Sequence, residues 1–199
     1  MIRFKSKRNT VYLNDNMVIK EYEQCSSALF EKEYLENLIK EDVMVPKVLC
    51  IRDNVLFLEY IQGITVLEFI EDSSGFTRCE EVAIGITEWF KDFYCAVDHD
   101  NTKEIRGDVN GRNFIITKKD VYGVDFEERV FGEISTDFGR FLAYLSTYDL
   151  LDTTLRDELH KQLLSLFTKT FKIDSNIILD EQKREMKEME ERRKSRISD

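Results

Sequence analysis

The stretch from Arg106 to Glu127, RGDVNGRNFIITKKDVYGVDFE, constrains most strongly what this chain of 199 residues can fold into. Its middle contains two short runs of strand-forming residues, FIIT and VYGV, separated by the polar turn KKD. That pattern predicts a β-hairpin. Because a hairpin returns the chain to its starting point, we expect Asp125 to lie close to Asp108 and Asn113.

The side chains that such a hairpin gathers are two carboxylates and one amide. Hard oxygen ligands of this kind suit Mg²⁺, which keeps several of its waters and is usually shared with substrate phosphates. The residues alone therefore predict a magnesium site at the open end of the hairpin.

The first 62 residues carry strand patterns and a single helical pattern. We expect two hairpins there, one turning at Asn14–Asn16 and the other at Arg52–Asn54. The helix is expected from about Ala28 to Lys40, with Ser26 or Ser27 as its N-cap.

From residue 64 onward, helical patterns surround the predicted hairpin, and Ser135 or Thr136 is the expected cap of the third helix. The expected helices are Val66–Ile70, Arg78–Val97, Asp137–Tyr148 and Leu155–Phe171. This order predicts an α+β fold of two unequal lobes. We expect a β-rich lobe at residues 1–62, a helical lobe with the hairpin at 63–178, and a charged helical tail at 179–199.

The tail from Asp180 to Asp199 contains seven basic and seven acidic residues and no aromatic residue, glycine or proline. It is expected to be a solvated helix that side-chain pairs three and four residues apart stabilise. The alternative is a helix that binds a protein partner. The basic cluster Arg192–Arg196 is a weak signal for contact with phosphate or RNA.

The formal charge of −10 argues against a general nucleic-acid partner, since such a chain offers no broad basic surface to neutralise phosphates. It is compatible with a cationic substrate and equally with a charge that serves solubility alone. Four scattered cysteines, no signal peptide and no apolar run near 18 residues predict a cytoplasmic protein with reduced thiols and no membrane span. Two histidines make a zinc site or a Ser-His-Asp hydrolase hard to build.

Several motifs, in order, resemble the aminoglycoside phosphotransferase and choline-kinase-like branch of the protein-kinase-like fold, which has RIO-type and tRNA-modification-associated atypical kinases as neighbours. Arg106-Gly107-Asp108, Asn113 and Val124–Glu127 resemble the catalytic loop and the metal-binding segment of that branch. The other matching segments, which extend the resemblance over residues 10 to 145, are Val18–Lys20, Phe30–Leu35, Val45–Leu49, Leu58–Gly63 and Asp137–Leu142.

The resemblance implies an ATP- and magnesium-dependent kinase that phosphorylates a hydroxyl group. Asp108 would orient or accept the proton of that hydroxyl, and Asn113 with Asp125 would hold Mg²⁺ against the nucleotide phosphates. Asp137 would brace the catalytic loop through backbone bonds. Positioning and charge stabilisation are what phosphoryl transfer requires of a protein.

The resemblance also assigns nucleotide contacts in the first lobe. Lys20, which from its own segment reads as a solvated edge lysine, would contact the α- and β-phosphates. Glu33 would orient Lys20. Glu31 is the competing partner, because the sequence does not determine the register of this helix to better than one turn. Backbone groups of Glu59, Tyr60 and Ile61 would hydrogen-bond the adenine.

Two positions depart from the family pattern. Lys5–Asn9 stands where a glycine-rich loop covers the nucleotide, and no glycine precedes Gly63. Arg106 replaces the histidine before Gly-Asp, which puts the geometry of the catalytic loop in question more than its chemistry.

Three functions are compatible with these residues. The first is a small-molecule kinase, although little of the chain remains after Phe171 to build an acceptor pocket. The second is a compact atypical protein kinase or ATPase that acts in a complex, which the short chain and the charged tail favour. The third is a nucleotide-binding pseudokinase, which the missing glycines favour.

Overall fold

The structure is a computed structural model that describes residues 2–4, 9–72, 77–97 and 103–197. It consists of a sheet lobe, defined by strands β1–β5 and helix α1, and a helical lobe formed by the elements that follow. The predicted α+β fold with two unequal lobes is confirmed.

The sheet lobe contains one antiparallel sheet with the strand order β1-β2-β3-β5-β4. Its elements are β1 (Ile2–Phe4), β2 (Thr10–Asn14), β3 (Met17–Glu21), α1 (Cys25–Lys40), β4 (Val48–Arg52) and β5 (Val55–Glu59). Both hairpins expected from the sequence are present, since β2 pairs with β3 and β4 pairs with β5.

The start of α1 differs from the prediction. The helix begins at Cys25 after Gln24, whose side chain makes no capping bond. Ser26 and Ser27 therefore lie inside the first turn of the helix. Serine prefers cap positions, but such local preferences are weak and tertiary contacts override them.

Within the part of the chain that the structure describes, the helical lobe contains five α-helices and five short strands. The helices are α2 (Val66–Glu71), α3 (Cys79–Val97), α4 (Ile134–Thr147), α5 (Thr154–Phe171) and α6 (Ser175–Ile197). The strands are β6 (Ile64–Thr65), β7 (Glu104–Ile105), β8 (Phe114–Ile116), β9 (Val121–Gly123) and β10 (Val130–Phe131). Strands β8 and β9 form the hairpin expected from the sequence, and β6 pairs with β8.

The start of α4 also differs from the prediction. This helix begins at Ile134 after Glu133, which makes no side-chain capping bond, so neither Ser135 nor Thr136 is its cap. Ser135 is buried instead. The position of α4 is set by its aromatic face, described next.

Phe90 of α3 lies at the centre of an aromatic core and is fully buried. Its ring centroid lies 5.5 Å from those of Phe114 in β8 and Phe138 in α4, and 5.7 Å from that of Phe167 in α5. Edge-on and tilted aromatic pairs stabilise by about 0.5–1.5 kcal/mol each beyond the area that they bury. This core holds the β8–β9 hairpin in place relative to the helices.

The carbonyl of Met44 joins the segment before Pro46 to the helical lobe. It accepts hydrogen bonds from the amide of Gly123 at 3.0 Å and from Nε1 of Trp89 at 2.9 Å. A Cβ atom at Gly123 would lie 2.2 Å from the Trp89 ring, so glycine is needed for this close approach. The hairpin is thus anchored from the sheet-lobe side as well.

Helix α6 packs along α4 instead of standing in solvent as the sequence led us to expect. Its residues Ile178, Gln182 and Glu185 are buried. Gly139 of α4 permits the contact, because a Cβ there would lie 2.4 Å from Cβ of Glu181. Three buried residues at spacings of four and three were too few and too polar to indicate a packed face.

Among the described residues, no helix combines the length and the apolar character needed to cross a membrane. The four cysteines are free thiols, and Cys25, Cys50 and Cys95 are exposed.

Candidate active site

Lys20 of β3 lies buried between the two lobes and contacts three carboxylates. Its Nζ atom lies 2.8 Å from Oε2 of Glu31, 2.5 Å from Oδ1 of Asp125 and 2.9 Å from Oε1 of Glu127. The side chain is only 6% exposed, so it is not a solvated edge lysine. The sheet lobe supplies one of the carboxylates and the helical lobe supplies the other two.

The partner of Lys20 on α1 is Glu31, and the prediction of Glu33 is wrong. Glu31 is 1% exposed, whereas Glu33 is exposed to solvent. Successive residues of an α-helix are rotated by about 100°, so residues two apart lie on opposite faces. The buried face of α1 contains Ala28, Glu31 and Leu35, at helical spacing.

Glu31 also connects Lys20 to the segment that carries Asp125. Its Oε1 atom accepts the amide hydrogen of Phe126 at 3.0 Å, while Oε2 accepts hydrogen bonds from Lys20 and from the hydroxyl of Tyr22. One carboxylate of the sheet lobe thus fixes both the lysine and the backbone beside Asp125.

The charges in this cluster shift one another's ionisation. Burial alone would lower the pKa of Lys20, but Glu31, Asp125 and Glu127 together raise it above its ordinary value. Burial works to raise the pKa of Asp125, and the adjacent ammonium outweighs it, so that pKa is lowered. Burial, together with the charge of Asp125, raises the pKa of Glu127.

Arg106, which replaces the family histidine, supports the backbone around Asp125. It is 4% exposed, and its Nη2 atom donates to the carbonyls of Val124 and Asp125, both at 2.7 Å. Its guanidinium lies 4.2 Å from the centroid of the Phe126 ring. Asp125 has a φ of +70°, a conformation that non-glycine residues seldom adopt, so these bonds stabilise a strained position.

Asp137 of α4 braces the start of the loop that carries Asp108, as the resemblance implied. Its carboxylate accepts hydrogen bonds from the amide of Arg106 at 2.6 Å, the amide of Gly107 at 3.0 Å and the hydroxyl of Tyr94 at 2.8 Å. Burial raises its pKa although these hydrogen bonds oppose the change. Gly107 has a φ of +76°, which glycine adopts without strain.

Asp108 and Asn113 lie at the open end of the hairpin. Asp108 is exposed, and its carbonyl accepts a hydrogen bond from Nδ2 of Asn113 at 3.3 Å. The carbonyl of Asn113 accepts the amide hydrogen of Val124 at 2.9 Å, which brings Asp125 next to this turn. The structure therefore places Asn113 against Asp108, and the residue before Asp125 against Asn113.

The three residues predicted to contact adenine are placed at the junction of the lobes. The amides of Glu59 and Tyr60 are already bound, to the carbonyls of Lys47 at 2.9 Å and Asn16 at 3.1 Å. Within the described residues, the amide of Ile61 has no hydrogen-bond partner. Ile61 is therefore the amide in this segment that remains available to a ligand.

The donors around Asp125 fit a hard divalent cation. Oxygens of Glu31, Asp125 and Glu127 lie within 4.8 Å of one another, and of these three side chains only Asp125 is more than one third exposed. Carboxylate and amide oxygens are the ligands that Mg²⁺ takes in proteins. Asp125 and Asn113 remain the residues that could hold the ion.

Sequence reasoning missed two participants in this site. Glu127 contacts Lys20, and Asn9 donates to Glu127 through Nδ2. The signal for Glu127 was present, since it follows Asp125 by two residues in the same loop. Asn9 is the last residue of the segment Lys5–Asn9, which stands where the resemblance places the nucleotide-covering loop, and residues 5–8 of that segment lie outside the described residues.

A cavity of about 430 Å³ opens beside Asp108. Residues of α4 and α6 form one of its walls, among them Tyr144, Glu185 and Arg192. The sequence contained no motif for such a pocket, because the wall forms only when α6 packs on α4.

Comparison with known families and structures gives the following findings. The sequence model of the RIO domain matches residues 3–134. Among solved structures, the gentamicin complex of APH(2″)-IIa is 15% identical with a TM-score of 0.55, covering 81% of this chain and 73% of that one. The streptomycin–ATP ternary complex of APH(2″)-IIa is 16% identical with a TM-score of 0.59, covering 92% and 82%.

A third similar structure is the ADP-bound aminoglycoside phosphotransferase APH(2″)-Ib, 14% identical with a TM-score of 0.56, covering 92% of this chain and 90% of that one. A comparison with curated protein sequences gave no match. At these identities the similarity to solved structures shows the fold, which is the protein-kinase-like fold that the sequence motifs indicated.

Proposed function

The chain belongs to the RIO domain family, and from that premise we propose that it transfers the γ-phosphoryl group of ATP to a hydroxyl of a small molecule. One observation carries the proposal. Lys20 and Glu31 from the sheet lobe meet Asp125 from the helical lobe, on the segment that follows the hairpin. Phosphoryl transfer needs such charged groups positioned around the phosphates and a base beside the attacking hydroxyl.

Asp108 is the proposed general base. The hydroxyl oxygen of the acceptor forms a bond to the γ-phosphorus while the bond from that phosphorus to the β-phosphate oxygen breaks, which releases ADP. The hydroxyl proton passes to the carboxylate of Asp108. This residue is exposed and lines the cavity, so an acceptor has direct access to it.

Lys20 is the proposed ligand of the α- and β-phosphates, and Glu31 orients it in the role that we first assigned to Glu33. Asp125 and Asn113 would hold Mg²⁺, which when bound neutralises charge on the phosphate oxygens. The amide of Ile61 is the proposed hydrogen-bond donor to the adenine.

Binding of the nucleotide requires that Lys20 exchange partners. Asp125 and Glu127 now contact its ammonium at 2.5 and 2.9 Å, and the phosphates would compete with them for it. Glu31 is buried and bonded to the backbone of Phe126, so it stays in place while the more exposed Asp125 turns to the cation.

Two measurements test the proposal. Purified protein should melt at a higher temperature with ATP and magnesium, and it should release ADP faster when a hydroxyl acceptor is added. Asp108→Asn should keep the shift in melting temperature and lower the acceptor-dependent rate by about a hundredfold or more, as expected for loss of a general base. If ATP with magnesium produces no shift at all, the proposal is rejected.

A second candidate is a compact atypical protein kinase or ATPase that works in a complex. The match to the RIO domain favours it, because RIO-type kinases are themselves atypical kinases. Labelled phosphate appearing on the protein itself, with no stimulation by small acceptors, would support this candidate instead.

A further inference from the structure

The cavity beside Asp108 is built largely by helices α4 and α6. It is lined by Arg140 and Tyr144 of α4 and by Glu185, Met189, Arg192 and Arg193 of α6. Its volume of about 430 Å³ falls in the range of roughly 300–1,000 Å³ that small-molecule sites occupy. The cavity is large enough for a compact polar compound.

Buried Glu185 fixes two guanidinium groups in this wall. Its Oε1 atom lies 2.5 Å from Nη2 of Arg192, and its Oε2 atom lies 3.4 Å from Nε of Arg140. The Arg140–Glu185 pair joins α4 to α6, whereas Arg192 pairs with Glu185 and Glu188 of its own helix, so both arginines have carboxylate partners before any ligand arrives. The carboxylate of Glu185 is therefore paired with arginines of the wall, and an acceptor in the cavity would not meet it as an unpaired charge.

Arg193 adds a third guanidinium that nothing in the described part of the chain neutralises. It lines the cavity, is exposed, and makes no hydrogen bond or ion pair with any described residue. Guanidinium groups bind carboxylates and phosphates through two parallel hydrogen bonds, which gives direction as well as charge.

We propose that α6 forms the acceptor site and that Arg192 and Arg193 select a hydroxyl compound carrying a carboxylate or a phosphate group. This inference rests on the proposed phosphotransferase function. The anionic group of the acceptor would lie against the arginines, and its hydroxyl would face Asp108 across the cavity. The transfer step is the one described above.

The inference differs from the expectation of a cationic acceptor drawn from the net charge of −10. Net charge describes the whole surface, whereas an acceptor responds to the groups within a few ångströms of it, and charges farther away than a Debye length of about 8 Å are screened. The charged groups that line the cavity are three arginines, of which Arg140 and Arg192 are paired, together with Asp108, Glu128 and the already paired Glu185.

The test uses four acceptors with one three-carbon hydroxyl skeleton and different charge: glycerol, glycerate, glycerol 3-phosphate and 3-amino-1,2-propanediol. Release of ADP is measured with ATP and magnesium in excess. Glycerate or glycerol 3-phosphate should accelerate release at least tenfold more than the neutral and cationic compounds. The two anionic arms separate a carboxylate from a phosphate site.

Two variants test whether side chains of α6 cause the preference for an anionic acceptor. Arg193→Gln should raise the KM for the anionic acceptor about tenfold, the effect of losing a hydrogen bond to a charged group, and leave the KM for ATP unchanged. Lys187→Gln is the matched control, because Lys187 lies on the same helix, is exposed and does not line the cavity. It should change neither KM.

Equal rates with all four compounds, the absence of stimulation included, would contradict the inference, as would a preference for the cationic compound. A rise in KM that Lys187→Gln matches would also contradict it. The shift in melting temperature with ATP and magnesium is recorded in parallel. Its loss would reject the phosphotransferase itself, whereas its presence with equal rates rejects only the anionic acceptor site.

Discussion

The Nζ atom of Lys20 lies 2.8 Å from the carboxylate of Glu31, and Glu33, two residues further along the same helix, is exposed to solvent. The carboxylate of Glu31 also accepts the amide hydrogen of Phe126, so this one side chain joins the lysine of the sheet lobe to the segment of the helical lobe that carries Asp125.

Glu31→Gln should therefore weaken both the fold and nucleotide turnover. Loss of one partner of a hydrogen-bonded buried charge costs about 1–3 kcal/mol, and we expect a decrease of this size in the free energy of unfolding. The matched control Glu33→Gln should stay within about 0.5 kcal/mol of the parent, as exposed substitutions do. Urea unfolding and ADP release measure the two effects. A larger effect at Glu33 would show that the pairing is wrong.

Asp125→Ala should abolish the magnesium-dependent part of the nucleotide-induced rise in melting temperature. The reason is that Asp125 is the one exposed carboxylate of the cluster around Lys20. Asp120→Ala, in the turn of the same hairpin, removes the same charge and should leave the shift unchanged. Melting curves with ATP, with magnesium or with EDTA, compare the three proteins. A retained magnesium response in Asp125→Ala would reject the metal assignment.

Arg106→Ala should lower the free energy of unfolding by about 3 kcal/mol. The variant loses two hydrogen bonds from a charged donor to the carbonyls of Val124 and Asp125, each of which contributes about 1.5–3 kcal/mol. Arg112→Ala serves as the comparison, because that side chain is exposed and should cost much less. Chemical denaturation of both variants gives the difference, and similar values would show that Arg106 is not a structural support.

Gly139→Ala should loosen α6 from α4. The added Cβ would lie 2.7 Å from the backbone nitrogen of Gln182 and 2.8 Å from the carbonyl carbon of Glu181, which cannot move without shifting the helix. Overpacking of this kind costs about 1–3 kcal/mol and outweighs the gain of about 1 kcal/mol from placing alanine in a helix. Hydrogen exchange of α6 amides should accelerate.

Gly132→Ala is the control for that experiment. Its Cβ would meet only the end of the flexible Ile105 side chain, at 3.0 Å. Exchange in α6 should then match the parent protein. If Gly139→Ala leaves α6 equally protected, the close packing of the two helices is not what holds α6 in place.

The stability of the protein should fall as the pH falls below about 6.5, in part because of His160. Burial lowers the pKa of His160 below its ordinary value of 6.5. The unfolded chain therefore takes up a proton before the folded protein does, and stability is lost as the pH decreases from 6.5 towards the folded pKa. His160→Gln should flatten that part of the curve. Melting temperatures at pH 7.5, 6.5 and 5.5 measure it, and an unchanged slope would contradict the assignment.

The local sequence alone determined the hairpin and the residues that it gathers. Two strand patterns of period two on either side of a polar turn define which short segments pair. The observed pairing of Phe114 with Gly123 follows from the geometry of such a hairpin. For the same reason the sheet-lobe hairpins could be predicted within a residue or two. The starts of α1 and α4 could not, because each helix begins three residues earlier than expected, after Gln24 and Glu133, which make no capping bond.

Tertiary structure decided which groups act together. The choice between Glu31 and Glu33 depended on the rotation of α1 against the sheet, which no local pattern records. The support that Arg106 gives to the carbonyls of Val124 and Asp125 depended on two loops meeting. The wall of the cavity depended on the packing of α6 against α4. Ile178 and the close approach at Gly139 bring the two helices together, although the charged composition of α6 is that of a solvated helix. Sequence periodicity reports one element at a time, whereas these features arise only where separate elements touch.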